Sequence, residues 1–451
     1  MNLKKGISTP IVILLIVLVV AIIGVGALFY LTKEKENPEK EEMSVTTIPE
    51  SAFKAELSFN SKSIKLASLS DLEQYESTND FPEFGSKGNQ VVYLKKNDEG
   101  YTVIRSLKRG NKHYRAESKT YSLVKEPAIS PDGKHFSYSA TEEEGDWFAV
   151  TDGKENKSQR VVRSLTFTPQ NEVVYDKGAL REEFKKNKER TKEMLKEMKD
   201  QLGIDFLGHQ LVIGDKKSET YLEIKIPILF SSDGEYFAYR ARSIKGGEEV
   251  VVTNQKEFPV EGKITSIALS SGGRVAYGVK QSDKSYIVED GEKKKAYEKG
   301  IVKSVTFSPT GNKLAYKVER AVKDSFVVVD GEVDGYYSLI KSPIVFSPSG
   351  DRVAYIAGWE DKVLVVGDEE KKIAHNPVKK PVWGPNGNHI AYIAKDGEKW
   401  SVVIDGEKGK GYNRIYDLPT FNSSGEYIGF GVLSKDALWW KSRQIESFLS
   451  K

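Results

Sequence analysis

The stretch FSPTGNKLAY, residues 307–316, contains a β-turn signal between two apolar ends, and FSPSGDRVAY, residues 346–355, repeats it. The same pattern occurs about nine times in this chain of 451 residues. The copies begin at Phe84, Ile129, Phe167, Phe230, Leu269, Phe307, Phe346, Trp383 and Phe421. Because a chain of this length is too long for one ordinary core, the repetition predicts an array of small units.

Each copy has the chemistry of two strands joined by a tight turn. Proline presets a turn φ angle and glycine supplies a positive φ, so Ser-Pro-x-Gly marks the turn. Adjacent residues of a strand point to opposite faces, so Ala315 should face one side of its sheet and Tyr316 the other. A second signal follows each copy, as in FVVVDGE (326–332) and SVVIDGE (401–407), where Asp-Gly indicates a hairpin.

Each unit should therefore hold four antiparallel strands in roughly 40 residues, which is the blade of a β-propeller. We expect an all-β fold: a single β-propeller of eight or nine four-stranded blades over residues 51–451. The blade number stays open because the copy at Phe167 lacks its glycine and the copy at Phe84 lacks its proline. A solenoid built from the same strands is the structural alternative.

These motifs resemble the TolB-like and WD-type β-propellers, whose blades carry a repeat written roughly as SPDGxxIAF or SPDGxxLAY. The matching residues include the run from Ser130 to Gly133 and the Ser-Pro-x-Gly runs that begin at Ser308 and Ser347. The resemblance covers most of residues 84–440. It implies the propeller fold, and it implies little about function because such propellers serve many functions.

The last blade lacks a complete fourth strand in the sequence that follows the final copy. After Phe430 the chain supplies one more strand, ALWWKSRQI, and then stops at Lys451. The segment FKAELSFNSKSIKLASL, residues 53–69, is the β-like stretch that precedes the first copy. Since an unpaired edge strand invites aggregation, we expect this segment to close the ring.

The N-terminus contains a membrane-span signal. Residues 10–31, PIVILLIVLVVAIIGVGALFYL, carry no charge and would span the hydrocarbon core as a helix. Lys4 and Lys5 precede them, which predicts a cytoplasmic N-terminus (1–9) and an extracytoplasmic body at the cell membrane. A charged linker (32–50) follows. Two alternatives stay open: a cleaved signal peptide, and a type IV pilin leader that would be cleaved after Gly6.

One interval between copies is longer than the others and contains KGALREEFKKNKERTKEMLKEMKDQLG, residues 177–203. Its apolar residues recur at helical spacing while Lys, Arg and Glu fill the other positions, which predicts a helical insertion. This insertion should emerge from the loop between the second and third strands of one blade. Its candidate partner-binding residues are Phe184, Met194, Leu195, Met198 and Leu202. A helix that simply lies on the propeller edge is the alternative.

Composition excludes several function classes. The chain has no cysteine, which excludes disulfide scaffolds and thiol nucleophiles. Its 68 Lys and Arg nearly balance 65 Asp and Glu without a long basic stripe, so nucleic acid is not an expected partner. The five histidines show no metal-ligand spacing, and no nucleophile elbow is present. We therefore expect no catalytic, cofactor-binding or metal-binding residues.

The sequence thus predicts a membrane-anchored, non-catalytic, extracytoplasmic propeller that acts as a scaffold for a protein or peptide. The alternative is a propeller enzyme or a glycan-binding lectin that uses the central channel, and a structural module of the cell envelope is a third possibility. The lining of the channel should separate the first two, because an enzyme needs convergent carboxylates or histidines. The oligomeric state stays open.

Overall fold

A computed structural model describes residues 64–68, 82–85, 89–109, 112–142, 147–157, 162–180, 206–320, 325–416, 418–434 and 437–450. The chain divides into two compact units, residues 1–44 and 45–451, and every described residue belongs to the second. The predicted membrane span (10–31) and charged linker (32–50) lie outside the described residues. The described ranges contain no helix that is long and apolar enough to cross a membrane.

The described strands form nine antiparallel sheets, which we number as blades in chain order. Blade 1 contains β2 (Glu83–Phe84), β3 (Gln90–Asn97), β4 (Gly100–Arg109) and β5 (Lys112–Tyr121). Blade 2 contains β6 (Leu123–Ile129), β7 (Phe136–Thr141), β8 (Phe148–Thr151) and β9 (Lys154–Asn156). Blade 3 contains β10 (Val162–Phe167), β11 (Val173–Leu180), β12 (Phe206–Ile213) and β13 (Lys216–Lys217). Blade 4 contains β14 (Glu223–Phe230), β15 (Phe237–Arg242), β16 (Glu249–Thr253) and β17 (Glu257–Val260). Blade 5 contains β18 (Lys263–Leu269), β19 (Val275–Gln281), β20 (Lys284–Glu289) and β21 (Glu292–Glu298). Blade 6 contains β22 (Gly300–Phe307), β23 (Leu314–Arg320), β24 (Ser325–Val329) and β25 (Glu332–Tyr337).

Blades 7 to 9 complete the series. Blade 7 contains β26 (Val345–Phe346), β27 (Val353–Ala357), β28 (Lys362–Val366) and β29 (Glu369–Ile373). Blade 8 contains β30 (Val382–Trp383), β31 (Ile390–Asp396), β32 (Lys399–Ile404) and β33 (Glu407–Lys408). Blade 9 contains β34 (Arg414–Ile415), β35 (Thr420–Phe421), β36 (Tyr427–Ser434), β37 (Ala437–Gln444) and β1 (Ile64–Ser68). In this last blade β34 and β35 together form the first strand, since both pair with β36. The fold is therefore a nine-bladed β-propeller.

The repeat correctly locates the turn between the first and second strands of every blade. Each of the nine copies begins at the residue that ends a first strand, from Phe84 in blade 1 to Phe421 in blade 9. The Asp-Gly signal likewise marks the hairpin between the third and fourth strands. Asp330 (φ 51°) and Gly331 (φ 88°) both have left-handed backbone conformations there, as a type I′ turn requires.

The core consists of nine apolar clusters, one between each pair of neighbouring blades. The predicted division of Ala and Tyr between two faces is confirmed in these clusters. Tyr316 packs between blades 5 and 6, whereas Ala315 packs between blades 6 and 7. The small residue lets adjacent sheets approach, and the tyrosine fills the space on the other side.

The ring closes through its two ends, as predicted. β1, from the N-terminal side of the propeller, pairs antiparallel with β37 and becomes the fourth strand of blade 9. Leu66 of β1 is fully buried in the cluster between blades 9 and 1, and its carbonyl oxygen accepts a 2.6 Å hydrogen bond from Ser106 Oγ. The first and last segments thus complete one sheet, in which β37 is paired on both sides.

The predicted helical insertion (177–203) is wrong at its start. Residues 177–180 continue β11, where Lys177 pairs with Gln210 of β12, because the hairpin ladder extends to the end of both strands. Residues 181–205 lie outside the described residues. The loop that contains them joins the second and third strands of blade 3, as predicted. In the described ranges the α-helix is α1 (Ile445–Leu449), after β37.

Candidate functional site: the insert face and the channel

The connectivity gives the propeller two different faces. The turns between strands one and two and between strands three and four lie on one face, which we call the turn face; Ser308 to Gly311 and Asp330-Gly331 are examples. The loops between strands two and three lie on the opposite face. We call it the insert face, because β11 ends there at Leu180 and β12 begins there at Phe206, with residues 181–205 between them in the sequence.

Repeated contacts between blades occupy the turn face. The Arg352 guanidinium lies over the ring of Trp383, 5.1 Å from its centroid, and donates to the carbonyl oxygen of Gly387 at 2.6 Å. Arg274 donates in the same way to the carbonyl oxygen of Gly311 at 3.2 Å. Each arginine therefore joins one blade to the turn between the first and second strands of the next blade, so these polar groups of the turn face serve the fold.

Two histidines on the turn face also have structural roles. Asp405 follows the third strand of blade 8; its Oδ1 accepts from the backbone N–H of Ile390 at 2.8 Å, and its Oδ2 lies 2.7 Å from His389 Nδ1. Asp152 and His135 form the equivalent pair in blade 2, also at 2.7 Å. Since both pairs fasten a hairpin turn to the second strand, they are part of the repeat.

A third histidine–aspartate pair is more buried than these two. The Nδ1 atom of His209 on β12 is 2.9 Å from Oδ1 of Asp176 on β11, and both side chains are nearly buried. The pair lies where these two strands approach the loop of residues 181–205. In the described ranges no group of three or more His, Cys, Asp or Glu side chains is arranged to hold a metal ion.

The first strands of successive blades lie innermost, because they contact one another while the fourth strands are largely exposed. These innermost segments are rich in basic side chains. The basic residues are Lys125, Arg163, Lys225, Lys263, Lys303, Lys341, Lys379, Lys380 and Arg414. Described acidic residues on the same segments are fewer: Glu83, Glu126 and Glu223. Every blade from 2 to 9 supplies at least one cation to the wall of the channel.

The strand pairing places several of these cations at one level of the channel. Lys125, Arg163, Lys225 and Lys303 each pair with the residue that directly follows the blade's buried tyrosine. Lys341 has the same position, since its backbone N–H donates to the carbonyl oxygen of Ile356 at 2.8 Å. The repeat therefore places positive charges in a row around the axis.

The cations differ in their partners. Lys225 forms an ion pair with Glu249 at 2.5 Å, and Lys303 forms one with Glu319 at 2.6 Å. Four others have exposed side chains and no carboxylate within ion-pair distance among the described residues: Lys125, Arg163, Lys263 and Lys341. We call these four residues the cation row. Lys263 pairs with Lys280 and lies nearer the insert-face end of its strand than the other three.

Two members of the cation row lie against tryptophans from insert-face loops. Lys125 Nζ is 4.9 Å from the centroid of the Trp147 ring, and Lys341 Nζ is 5.8 Å from that of Trp359. These contacts place both ammonium groups toward the insert-face mouth of the channel. Burial, and after it the positive charge of Lys362, lower the pKa of the Lys341 ammonium.

Exposed apolar side chains collect near the same mouth. Five of the seven large exposed apolar residues in the described ranges lie on innermost segments or insert-face loops: Leu123, Leu222, Ile226, Trp359 and Val378. Trp359 is 68% exposed and Ile226 is 58% exposed. Apolar surface beside unpaired cations is the composition of a binding surface.

The predicted partner-binding residues, Phe184, Met194, Leu195, Met198 and Leu202, lie outside the described residues, although their loop leaves the insert face. The cation row was not predicted from the sequence. Aligning the nine copies would have revealed it, since a Lys or Arg recurs four or five residues before the first-strand end in blades 2, 3, 4, 6 and 7. Read along the chain, each cation stands alone and forms no basic run.

Comparisons with known proteins show distant similarities. No family model matches this chain, and no curated protein sequence matches it. A eukaryotic initiation factor structure is similar, with 12% identity, 78% of this chain and 93% of that chain covered, and a TM-score of 0.46. The Dos1 propeller structure has 11% identity, with 70% and 90% covered and a TM-score of 0.39. Dihydro-heme d1 dehydrogenase NirN has 10% identity, with 74% and 67% covered and a TM-score of 0.37. Membership in the TolB-like family stays a prediction.

Proposed function

We propose that this protein is a membrane-tethered, extracytoplasmic β-propeller that binds another protein or a peptide through its insert face, without a catalytic site of its own. The tether is the uncharged N-terminal segment (10–31), and the flanking Lys4 and Lys5 favour an exported propeller. The propeller then acts as a rigid platform held near the membrane surface.

The difference between the two faces carries the proposal. On the turn face, Arg274, Arg352 and the Asp-Gly turns are engaged in contacts between and within blades. On the insert face, Trp359 and Ile226 are exposed, and Lys341 and Lys125 have no carboxylate partner in the described ranges. Recognition is commonly carried by loops on a rigid scaffold, and exposed aromatic side chains are frequent anchors of interfaces.

The loop of residues 181–205 adds to this surface. It is far longer than a turn between two antiparallel strands requires, and it leaves the insert face between Leu180 and Phe206. Its sequence has apolar residues at helical spacing among charged residues. Such an apolar stripe indicates that the segment packs against another surface, because an isolated helix is only marginally stable in water. We propose that the same partner contacts this stripe and the insert face.

The test is affinity capture of the tagged full-length chain from mildly solubilised membranes, with the retained proteins identified by mass spectrometry. A variant in which residues 181–205 are replaced by Asn-Gly removes the insertion, and Glu332→Ala on the turn face is the control. We expect one protein to be retained by the wild type and the control and lost by the deletion variant. Equal retention by all three chains would contradict the proposal.

A further inference from the structure

We infer that the segment bound at the insert face is an acidic peptide with apolar residues, whose carboxylates pair with the cation row at the mouth of the channel. This inference rests on the proposed function. It assigns a ligand chemistry to Lys125, Arg163, Lys263 and Lys341, which belong to different blades and have no carboxylate partner in the described ranges.

The first step is the placement of the charges. With nine blades, each blade takes up about 40° around the axis. The cation row comes from blades 2, 3, 5 and 7 and therefore extends over more than half of the circumference. A compact anion would meet one or two of these side chains, whereas an extended chain can meet several. The geometry favours a polymer with several negative charges.

The second step is the electrostatic state of the empty mouth. Like charges around a narrow channel with low-dielectric walls repel one another and focus a positive potential. Lys225 and Lys303, at the same level, already have their own carboxylates, Glu249 and Glu319. The cation row lacks such neutralisation within the described residues. An incoming carboxylate would relieve this repulsion and would be attracted over a distance of about one Debye length, ~8 Å at physiological salt.

Exposed aliphatic side chains and inner strand edges favour a peptide over other polyanions. Ile226, Leu222 and Val378 present exposed aliphatic groups on the innermost segments of blades 4 and 8, which neighbour blades of the cation row. These groups suit Leu or Ile side chains better than phosphates or sugars. Each first strand is also the inner edge of its sheet. Edge strands offer backbone N–H and C=O groups to an extended peptide. Apolar contact, edge hydrogen bonds and paired carboxylates together describe an acidic peptide.

The direct experiment measures peptide binding by the full-length chain in a zwitterionic detergent, using fluorescence anisotropy. The probe is a labelled twelve-residue peptide that alternates Glu with Leu or Ser, and its Gln counterpart is the neutral control. The test variant combines Lys125→Glu and Lys341→Glu. The matched control combines Lys154→Glu and Lys216→Glu, which change the net charge equally but lie at exposed positions away from the channel, at the turn-face ends of the fourth strands of blades 2 and 3.

We expect the acidic peptide to bind the wild type and the matched control with affinities within about twofold of each other. The Lys125→Glu, Lys341→Glu chain should bind at least about tenfold more weakly, because attraction becomes repulsion at two positions. Binding should weaken as salt is raised, and the Gln peptide should bind poorly. An unchanged melting temperature would show that the loss is not a loss of folding.

Three results would overturn the inference. One is equal binding of the Glu and Gln peptides. Another is equal weakening by both double variants, which would mean a general charge effect. The third is tighter binding of a single-stranded DNA of equal charge with the same dependence on Lys125 and Lys341, which would assign the row to nucleic acid. If capture of the natural partner survives in this variant yet fails in the insertion-deletion variant, the proposed function stands and the acidic-peptide inference fails.

Discussion

Ala315 and Tyr316 are adjacent in the sequence, yet they lie in two different cores. Ala315 is fully buried between blades 6 and 7, and Tyr316 is buried between blades 5 and 6, where its hydroxyl oxygen lies 2.6 Å from that of Tyr297. One dipeptide therefore sets the spacing of a blade against both of its neighbours. The same division holds for Ala354 and Tyr355 in blade 7.

This arrangement predicts that the small residue is as necessary as the large one. Ala315→Leu adds volume where the sheets are closest, and it should reduce the free energy of unfolding by about 1–3 kcal/mol. Tyr316→Phe removes one hydrogen bond and should cost about 1 kcal/mol. Chemical denaturation followed by tryptophan fluorescence measures both. A leucine variant as stable as the wild type would contradict close packing at this position.

The buried tyrosines predict a loss of stability at high pH. Burial raises the pKa of Tyr138 and Tyr239 to about 12 in the folded protein, from about 10 in an unfolded chain. The folded state favours the neutral phenol, so this stabilisation is complete below pH ~10 and is lost as pH rises toward 12. Absorbance at 295 nm should increase together with the loss of near-UV circular dichroism. Ionisation well before unfolding would contradict the prediction.

The stability of the propeller should also depend on β1, the strand that closes the ring. Leu66→Asp introduces a charge into the cluster between blades 9 and 1, where Leu66 is 1% exposed, and should cost more than about 2 kcal/mol. Lys65→Asp, on the exposed side of the same strand, is the matched control. Differential scanning calorimetry should show a lower melting temperature for the first variant alone. Deletion of residues 51–75 should lower it further and promote association.

The fold could be predicted because its information is local and repeated. Turn residues such as Gly311 and the Asp-Gly pair at Asp330 mark the strand ends wherever they recur. The choice between eight and nine blades could not be made from the copies alone, because the copies at Phe84 and Phe167 are irregular and blade 9 borrows a strand from the other end of the chain.

The candidate site was less accessible to sequence reasoning. Lys125 and Lys341 are separated by more than 200 residues, and only the closed ring brings their strands to the same channel. Each also looks like an ordinary surface lysine in its own segment. The start of the insertion was misjudged for a different reason: the composition of residues 177–180 is compatible with a helix, whereas cross-strand pairing with β12 extends the strand.

The insertion gives a prediction about partner capture. Leu195→Asp together with Met198→Asp places charges on the predicted apolar stripe. We expect a nearly unchanged melting temperature and a loss of the captured partner, because the stripe faces the partner in our account. Lys196→Ala with Lys199→Ala is the control on the polar side. Loss of folding together with unchanged capture at low temperature would instead assign the stripe to the propeller edge.

The topology gives a prediction about protease access. The uncharged segment (10–31) and the preceding Lys4 and Lys5 predict that residues 32–451 lie outside the cytoplasm. Protease added to intact spheroplasts should degrade the propeller, and immunoblotting against an N-terminal tag should recover a short membrane-bound fragment. Complete protection of the propeller in intact spheroplasts would contradict this orientation.

The most direct test of the binding account is site-specific photo-crosslinking in living cells. A photoreactive phenylalanine analogue would replace Trp359 or Leu222 on the insert face, and Glu332 or Lys154 on the opposite side of the blades. The account predicts that one protein is crosslinked at both insert-face positions and at neither of the others, and that the adduct is lost when residues 181–205 are deleted. Adducts confined to the turn-face positions, with none from Trp359 or Leu222, would contradict it.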